Sequence, residues 1–175
     1  RDAQESRGLG DVYKRQAYYL SLMGHKVDVY EEREALGGML RYGIPNYRLP
    51  KDRLDEDINA ILSTGNITVH YNTAIGRDIT MEQLKEQYNA IYIAIGAQVG
   101  KSVNVDGVNS NGVYSAVEML GEIGRGNIPD YTGKRVVVVG GGNVAMDCAR
   151  SAIRCHAKAV SYTHLRAHET PEHLV

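Results

Sequence analysis

Between Lys134 and Asp147 the chain reads KRVVVVGGGNVAMD, and these residue types could hold a ligand by main-chain chemistry alone. Four consecutive valines, Val136–Val139, predict a strand buried on both faces, as in a parallel sheet. Gly140, Gly141 and Gly142 follow. Val144, Ala145, Met146, Cys148, Ala149 and Ile153 then recur at helical spacing. Gly140, Gly142 and Ala145 stand at the positions of the strand–turn–helix fingerprint that binds dinucleotides. Gly140 would permit the sharp turn, and Gly142 would let the backbone approach a pyrophosphate. The small Ala145 would let the helix pack close to the strand. The helix N-terminus, from Asn143 and Val144 onward, offers unpaired N–H groups and the positive end of a dipole to phosphate. The plain alternative is a strand–helix connection with spare glycines, and the flanking strand and helix argue against it.

A second candidate site lies upstream. Ala17–Gly24 (AYYLSLMG) reads as the end of an amphipathic helix with a glycine cap, and His25–Tyr30 alternates as a strand ending on Glu31. A helix and then a strand ending in an acid is the second half of a βαβ unit, where the acid accepts from a ribose hydroxyl pair. The stretch Glu34–Pro50 (EALGGMLRYGIPNYRLP) is too punctuated by Gly and Pro for a helix or strand, and too apolar for an idle loop. Its paired glycines fit a close approach of backbone to something flat, and Arg41 and Arg48 are candidate anion partners.

The segments GGMLRYGIPNYRLP, AIGAQ and VVVVGGGNVAMD, in that order, resemble the FAD/NADPH oxidoreductase (small, beta) subunit of glutamate synthase and its relatives, a pyridine nucleotide-disulfide oxidoreductase-like family. The resemblance covers about Ala17–Ala159. It implies an α/β fold: a Rossmann-like FAD-binding domain with its first strand missing, then the start of an inserted NAD(P)-binding Rossmann domain. It implies that Glu31 binds the FAD ribose, that Gly37, Gly38 and Met39 contact FAD through their backbone, and that Arg48 reaches the cofactor. Ala74 would help hold the adenine, and Gly96 and Ala97 would leave room for the flavin. Gly140, Gly141, Gly142, Asn143, Val144 and Ala145 would hold NADP (or NAD). The implied activity is hydride transfer from NAD(P)H to FAD, with electrons passing through iron–sulfur clusters to a large catalytic or iron–sulfur partner subunit. No catalytic acid, base or nucleophile and no metal ligand is expected. The alternatives are a non-catalytic dinucleotide sensor, or a relative of the ferredoxin–NADP transhydrogenase or dihydropyrimidine dehydrogenase type.

The ends of the chain read differently. Ser6–Gln16 (SRGLGDVYKRQ) and Val160–Thr170 (VSYTHLRAHET) are translations of opposite strands of one DNA sequence that resembles a transposase-type sequencing adapter. Residues 1–16 and 160–175 are therefore expected to be non-native. The expected domains are 17–98 for FAD, 99–133 as crossover helix and loops, and 134–159 as the start of the NAD(P) domain. Such a fragment is expected to be inactive and not to hold FAD tightly. On this reading His164 and His168, four apart, are adapter residues and not a metal site.

The elements that must position these sites follow in order. Pro50–Gly65 predicts a surface helix with Leu54, Ile58, Ile61 and Leu62 on one face, and Asp52, Asp55, Glu56 and Asp57 as a solvated one. Ile67–Tyr71 predicts a strand in which His70 is structural. Ile79–Tyr88 predicts a short helix with Thr80 and Gln83 as a capping box. Ala90–Ala97 predicts a buried parallel strand, and Val113–Ile123 a helix. Formal charge −1 gives no basic face for nucleic acid, and no apolar run approaches the roughly 20 residues needed to span a bilayer. Cys148 and Cys155, seven apart on one predicted helix, are poorly placed for a disulfide; two free thiols fit a reducing cytoplasm.

Overall fold

The computed structural model describes residues 10–100 and 104–163, which form two compact units. Unit 1 runs through Arg41 and from Asn46 to Ala97; unit 2 takes Tyr42–Pro45 and everything from Gln98.

Unit 1 is built on a parallel pair, β1 (Val27–Tyr30) and β2 (Ile67–His70), in register Val27↔Ile67 to Tyr30↔His70. Parallel strands need a long crossover. Here it is supplied by α2 (Gly38–Tyr42), a loop, and α3 (Lys51–Leu62). The helix α1 (Gly10–Leu22) precedes β1 and ends at Gly24, whose φ of 88° is the left-handed conformation a glycine cap requires. Alternation puts Val29 and Val69 on one face of the sheet, where they pack with Leu36, Leu54 and Ile58. On the other face His70 stacks on Tyr30 (centroids 4.6 Å apart, 14° between planes) and its Nε2 lies 2.7 Å from Asp28 Oδ1. The Tyr30 and Tyr88 hydroxyls are 2.8 Å apart. His70 is thus engaged within the sheet by Tyr30 and Asp28.

The local signals in α3 and α4 (Met81–Gln87) are realised. Leu54 and Ile58 are buried, and both halves of the Thr80–Gln83 capping box form, at 3.2 and 2.8 Å. Three expectations need correction. Gly38–Tyr42 is a short helix, because side-chain and main-chain bonds close it: Leu40 N–H donates to Gly37 O at 3.0 Å and Arg41 Nε to Leu36 O at 2.6 Å. Ala90–Ala97 is not a strand; Ile93 and Ile95 are 66% and 77% exposed. An apolar run becomes a buried strand only when a neighbouring strand accepts its hydrogen bonds, and among the described residues β1 and β2 pair only with each other.

Unit 2 contains α5 (Ala116–Gly124), β3 (Arg135–Val139), α6 (Asn143–Arg154) and β4 (Ala159–Thr163). β3 and β4 are parallel, in register Arg135↔Ala159 to Val139↔Thr163, and form a sheet separate from that of unit 1. Leu120, Val138, Ala145 and Cys148 form the core. The third correction lies here. Val137 and Val139 are 66% and 64% exposed, so the valine strand is covered on one face only among the described residues. Val160–Thr163, set aside above as adapter-derived, continue the sheet as β4. Their pairing is mostly main-chain, and among the described residues of β4 Val160 alone packs against the core.

Candidate functional site

The turn after β3 is shaped by two glycines that differ in kind. Gly140 has φ 138°, and a Cβ there would stand 3.3 Å from Ala145 Cβ, so bareness at Gly140 and smallness at Ala145 together let α6 start close to the strand. Gly142, the residue before α6, has φ −84° and ψ 177°, which any residue can adopt, and a Cβ there would meet nothing within 4 Å. Among the described residues no packing contact requires its bareness, and the space in front of the helix is open. Gly142 makes no side-chain cap, and the N–H groups of Gly141, Gly142, Asn143, Val144 and Ala145 find no acceptor among the described residues. Gly140 N–H alone is used, donating to Thr163 O at 2.6 Å. Open backbone donors at the positive end of a twelve-residue helix are suited to an anion. They fit the pyrophosphate of a dinucleotide.

In unit 1, Glu31 directly follows β1 and the loop of Ala74 follows β2, at the C-terminal ends of the parallel strands, where such sheets place their ligands. Thr73 N–H donates to Glu31 O at 3.0 Å and Asn72 N–H to Arg33 O at 3.1 Å, which ties the Ala74 loop to the Glu31 loop. Glu31 Oε1 accepts from Arg33 N–H at 3.0 Å. Burial raises the Glu31 pKa above the ordinary carboxylate value, opposed by that amide and the Arg33 charge. Ala74 N–H is engaged by Asp78 Oδ2 at 2.8 Å. Gly37 is buried at φ 127°, and a Cβ would come within 3.0 Å of both Arg41 Cβ and Leu54 Cδ2, so its own fold already requires glycine. Gly38 opens α2 at φ 49°, with Met39 half-buried beside it. Arg48 is exposed; Gly96 (φ 75°) and Ala97 close the uncovered apolar run. Glu31, Gly37–Met39, Arg48, Ala74, Gly96 and Ala97 thus belong to unit 1, and Gly140–Ala145 to unit 2.

Arg41, an anion candidate from sequence, is paired with Asp55 and bonded to Leu36 O. Lys51 carried no local signal, yet its Nζ donates to Leu40 O at 2.7 Å; burial, and then the Arg41 charge, push its pKa down to about 8. His164 and His168 lie outside the described residues. Among those described, no His, Cys, Asp or Glu cluster could hold a metal, and no helix is long and apolar enough to cross a membrane. Both cysteines are free and buried.

A parallel strand, a glycine turn with open amides and a helix define a nucleotide-binding α/β protein of the dinucleotide type. The sequence agrees: residues 15–173 match the family model for pyridine nucleotide-disulphide oxidoreductases, and the chain belongs to that family. It is 42% identical over 169 residues to the NADP(+)-dependent formate dehydrogenase subunit beta of Moorella thermoacetica, covering 95% of this chain and 24% of that one. It is 36% identical over 162 residues to the glutamate synthase [NADPH] small chain of Bacillus subtilis, covering 87% and 33%. The NADPH-Fe(3+) oxidoreductase subunit beta of Geobacter sulfurreducens is 40% identical over 152 residues, covering 84% and 22%. The chain therefore spans 22% to 33% of the length of these relatives. Among solved structures, Mycobacterium tuberculosis FprA in complex with NADPH superposes with a TM-score of 0.72 over 89% of this chain and 41% of its own; at 21% identity this establishes the fold alone.

Proposed function

We propose that this chain carries parts of two cofactor sites of an NADPH-dependent flavoprotein oxidoreductase that serves a partner subunit. The observation that carries the reading is the open N-terminus of α6. Five consecutive amides lack acceptors there among the described residues, and Gly142 meets no steric need for glycine among them. Gly140–Ala145 would hold the nicotinamide dinucleotide by its phosphates, as backbone donors do without side-chain charge. Glu31, with Oε1 already oriented by the Arg33 amide, would accept from the ribose of FAD, while Gly37–Met39, Arg48 and Ala74 line the rest of that site. Bound together, the two cofactors supply hydride transfer from NADPH to flavin, and the protein's part is position and electrostatics. NADP is preferred to NAD because the three relatives above carry NADP in their names. Those relatives are named as subunits or chains, which supports a partner subunit; the iron–sulfur route to it rests on the family resemblance alone. Residues 1–16 and 160–175 remain, on this reading, adapter-derived, and the natural segment 17–159 divides near residue 98.

The test is an amide NMR titration of the chain with NADPH and, separately, with FAD. NADPH should shift Gly141–Ala145 selectively and FAD should shift Glu31–Met39, the latter weakly; a chain whose Gly141–Ala145 amides ignore millimolar NADPH would sink the proposal. A sensor without turnover is the other reading. A protein extended to the length of its relatives separates the two, since the oxidoreductase purifies yellow and bleaches with NADPH while the sensor stays colourless.

A further inference from the structure

Lys51, the first residue of α3, brings its amine into a small charged cluster whose members all belong to unit 1. Its Nζ donates to Leu40 O at 2.7 Å, and its main-chain N–H is fixed by Asn46 Oδ1 at 3.0 Å. Arg41 follows Leu40 in the chain, and its guanidinium is bound to Leu36 O at 2.6 Å and to Asp55. Asp55 stands one turn along α3 from Lys51, at the spacing where a lysine ordinarily finds a carboxylate, but Arg41 already engages it. Asp52, the other acid of that first turn, is exposed. The cluster therefore sets two cations about one engaged carboxylate. A guanidinium keeps its charge at any ordinary pH, so the amine is the group that can relieve the crowding by giving up a proton. Half-burial and a place at the positive end of α3 act in the same direction, since each disfavours the ammonium. Burial first, and the Arg41 charge second, accordingly bring this amine down to about 8.

We propose that Lys51 is a modification site, whose neutral amine takes an acyl group from an acyl phosphate. The nitrogen lone pair attacks the acyl carbon, and a C–N bond forms as the C–O bond to phosphate breaks. The phosphate leaves with that electron pair, and the proton lost from nitrogen passes to it or to water. Nothing is oxidised or reduced. An anionic donor suits this place, because the Arg41 charge attracts it and favours departure of the phosphate. The fold also suits the product. The amide that forms keeps one N–H for Leu40 O and removes a positive charge from beside Arg41 and the start of α3. The site does not depend on a bound cofactor.

Acetyl phosphate is the probe, applied to the full chain near neutral pH and read by peptide mapping with mass spectrometry. Lys51 should be acetylated about tenfold faster than the exposed Lys26 and Lys85 of the same unit, because the gain in neutral amine outweighs the lower nucleophilicity that accompanies a lower pKa. Its rate should level off above a pH of about 8. Arg41→Met removes the second cation and returns Asp55 to Lys51, so acetylation there should fall severalfold while Lys26 and Lys85 are unchanged. Asp55→Asn removes the carboxylate instead, and Lys51 should react at least as fast as in the wild type. Because the Asp55 side chain is 49% exposed, that variant leaves the core of unit 1 intact and keeps the test open if Arg41→Met fails to fold. In denaturant the preference for Lys51 should vanish. A Lys51 rate no higher than those of Lys26 and Lys85, one still climbing well above pH 8, or one that survives unfolding would each overturn the proposal. So would a rate that a folded Arg41→Met variant leaves unchanged or that Asp55→Asn lowers.

Discussion

Gly140 and Gly142 stand two residues apart in one turn, and replacing each by alanine should have opposite consequences. Gly140 sits at φ 138° with Ala145 Cβ 3.3 Å from where its own Cβ would be. A side chain in that backbone region costs about 1–3 kcal/mol, and the tight contact with Ala145 adds to it. Gly140→Ala should therefore lose about 2 kcal/mol. For a unit of this size that lowers the melting temperature by roughly 10 °C. Gly142 has φ −84° and nothing within 4 Å of a built Cβ. Alanine there removes about 0.4–1 kcal/mol of unfolded-state entropy, while losing glycine before a helix costs about as much. The two offset, and Gly142→Ala should stay within about 0.5 kcal/mol of the wild type. Its effect should fall on the ligand instead, with NADPH affinity down about tenfold, or roughly 1.4 kcal/mol. Thermal unfolding and an NADPH titration of the two variants decide the matter. Equal melting shifts for both, or a Gly142→Ala variant that binds NADPH as tightly as the wild type, would refute the argument that this glycine exists for a ligand.

Three further outcomes are expected. Leu54, 2% exposed in the unit 1 core, should cost about 2–5 kcal/mol as Leu54→Ala in denaturant unfolding; a smaller loss would mean the site collapses around the gap. Below pH 8 folded and unfolded chains both carry the Lys51 ammonium, so the cost of burying it is present in full. As pH passes about 8 the folded chain sheds the proton first, and stability should rise until the unfolded amine titrates near 10.5. Discounted for the water that reaches a half-exposed group, the wild type should gain about 1 kcal/mol on Lys51→Met between pH 7.5 and 10; a constant difference would contradict the burial argument. Burial, and then the Asp147 charge, raise the Cys148 thiol to about 11. It should resist iodoacetamide at pH 8 until the chain is unfolded, and mass spectrometry would register early labelling as a failure of that account.

What this sequence determined by itself were the features governed by neighbours along the chain. The capping box at Thr80 and Gln83, the apolar stripe of α3, the cap at Gly24 and the strand–glycine–helix order at Val136–Ala145 all depend on residues within a turn or two, and all are realised. Tertiary structure decided everything that depends on who lies opposite. Ala90–Ala97 and Val136–Val139 are equally apolar, yet the first remains unpaired and the second is covered on one side, because burial belongs to a strand's neighbours and not to its letters. Arg41 is an anion partner by residue type, but in the fold Asp55 and the Leu36 carbonyl already engage its guanidinium. Gly140 and Gly142 are the same letter in the same motif; only the tertiary structure separates the glycine that makes room for Ala145 from the one whose added Cβ would meet nothing among the described residues. A side chain records its own chemistry, but whether that chemistry is spent internally or left open for a ligand is a property of the packing around it.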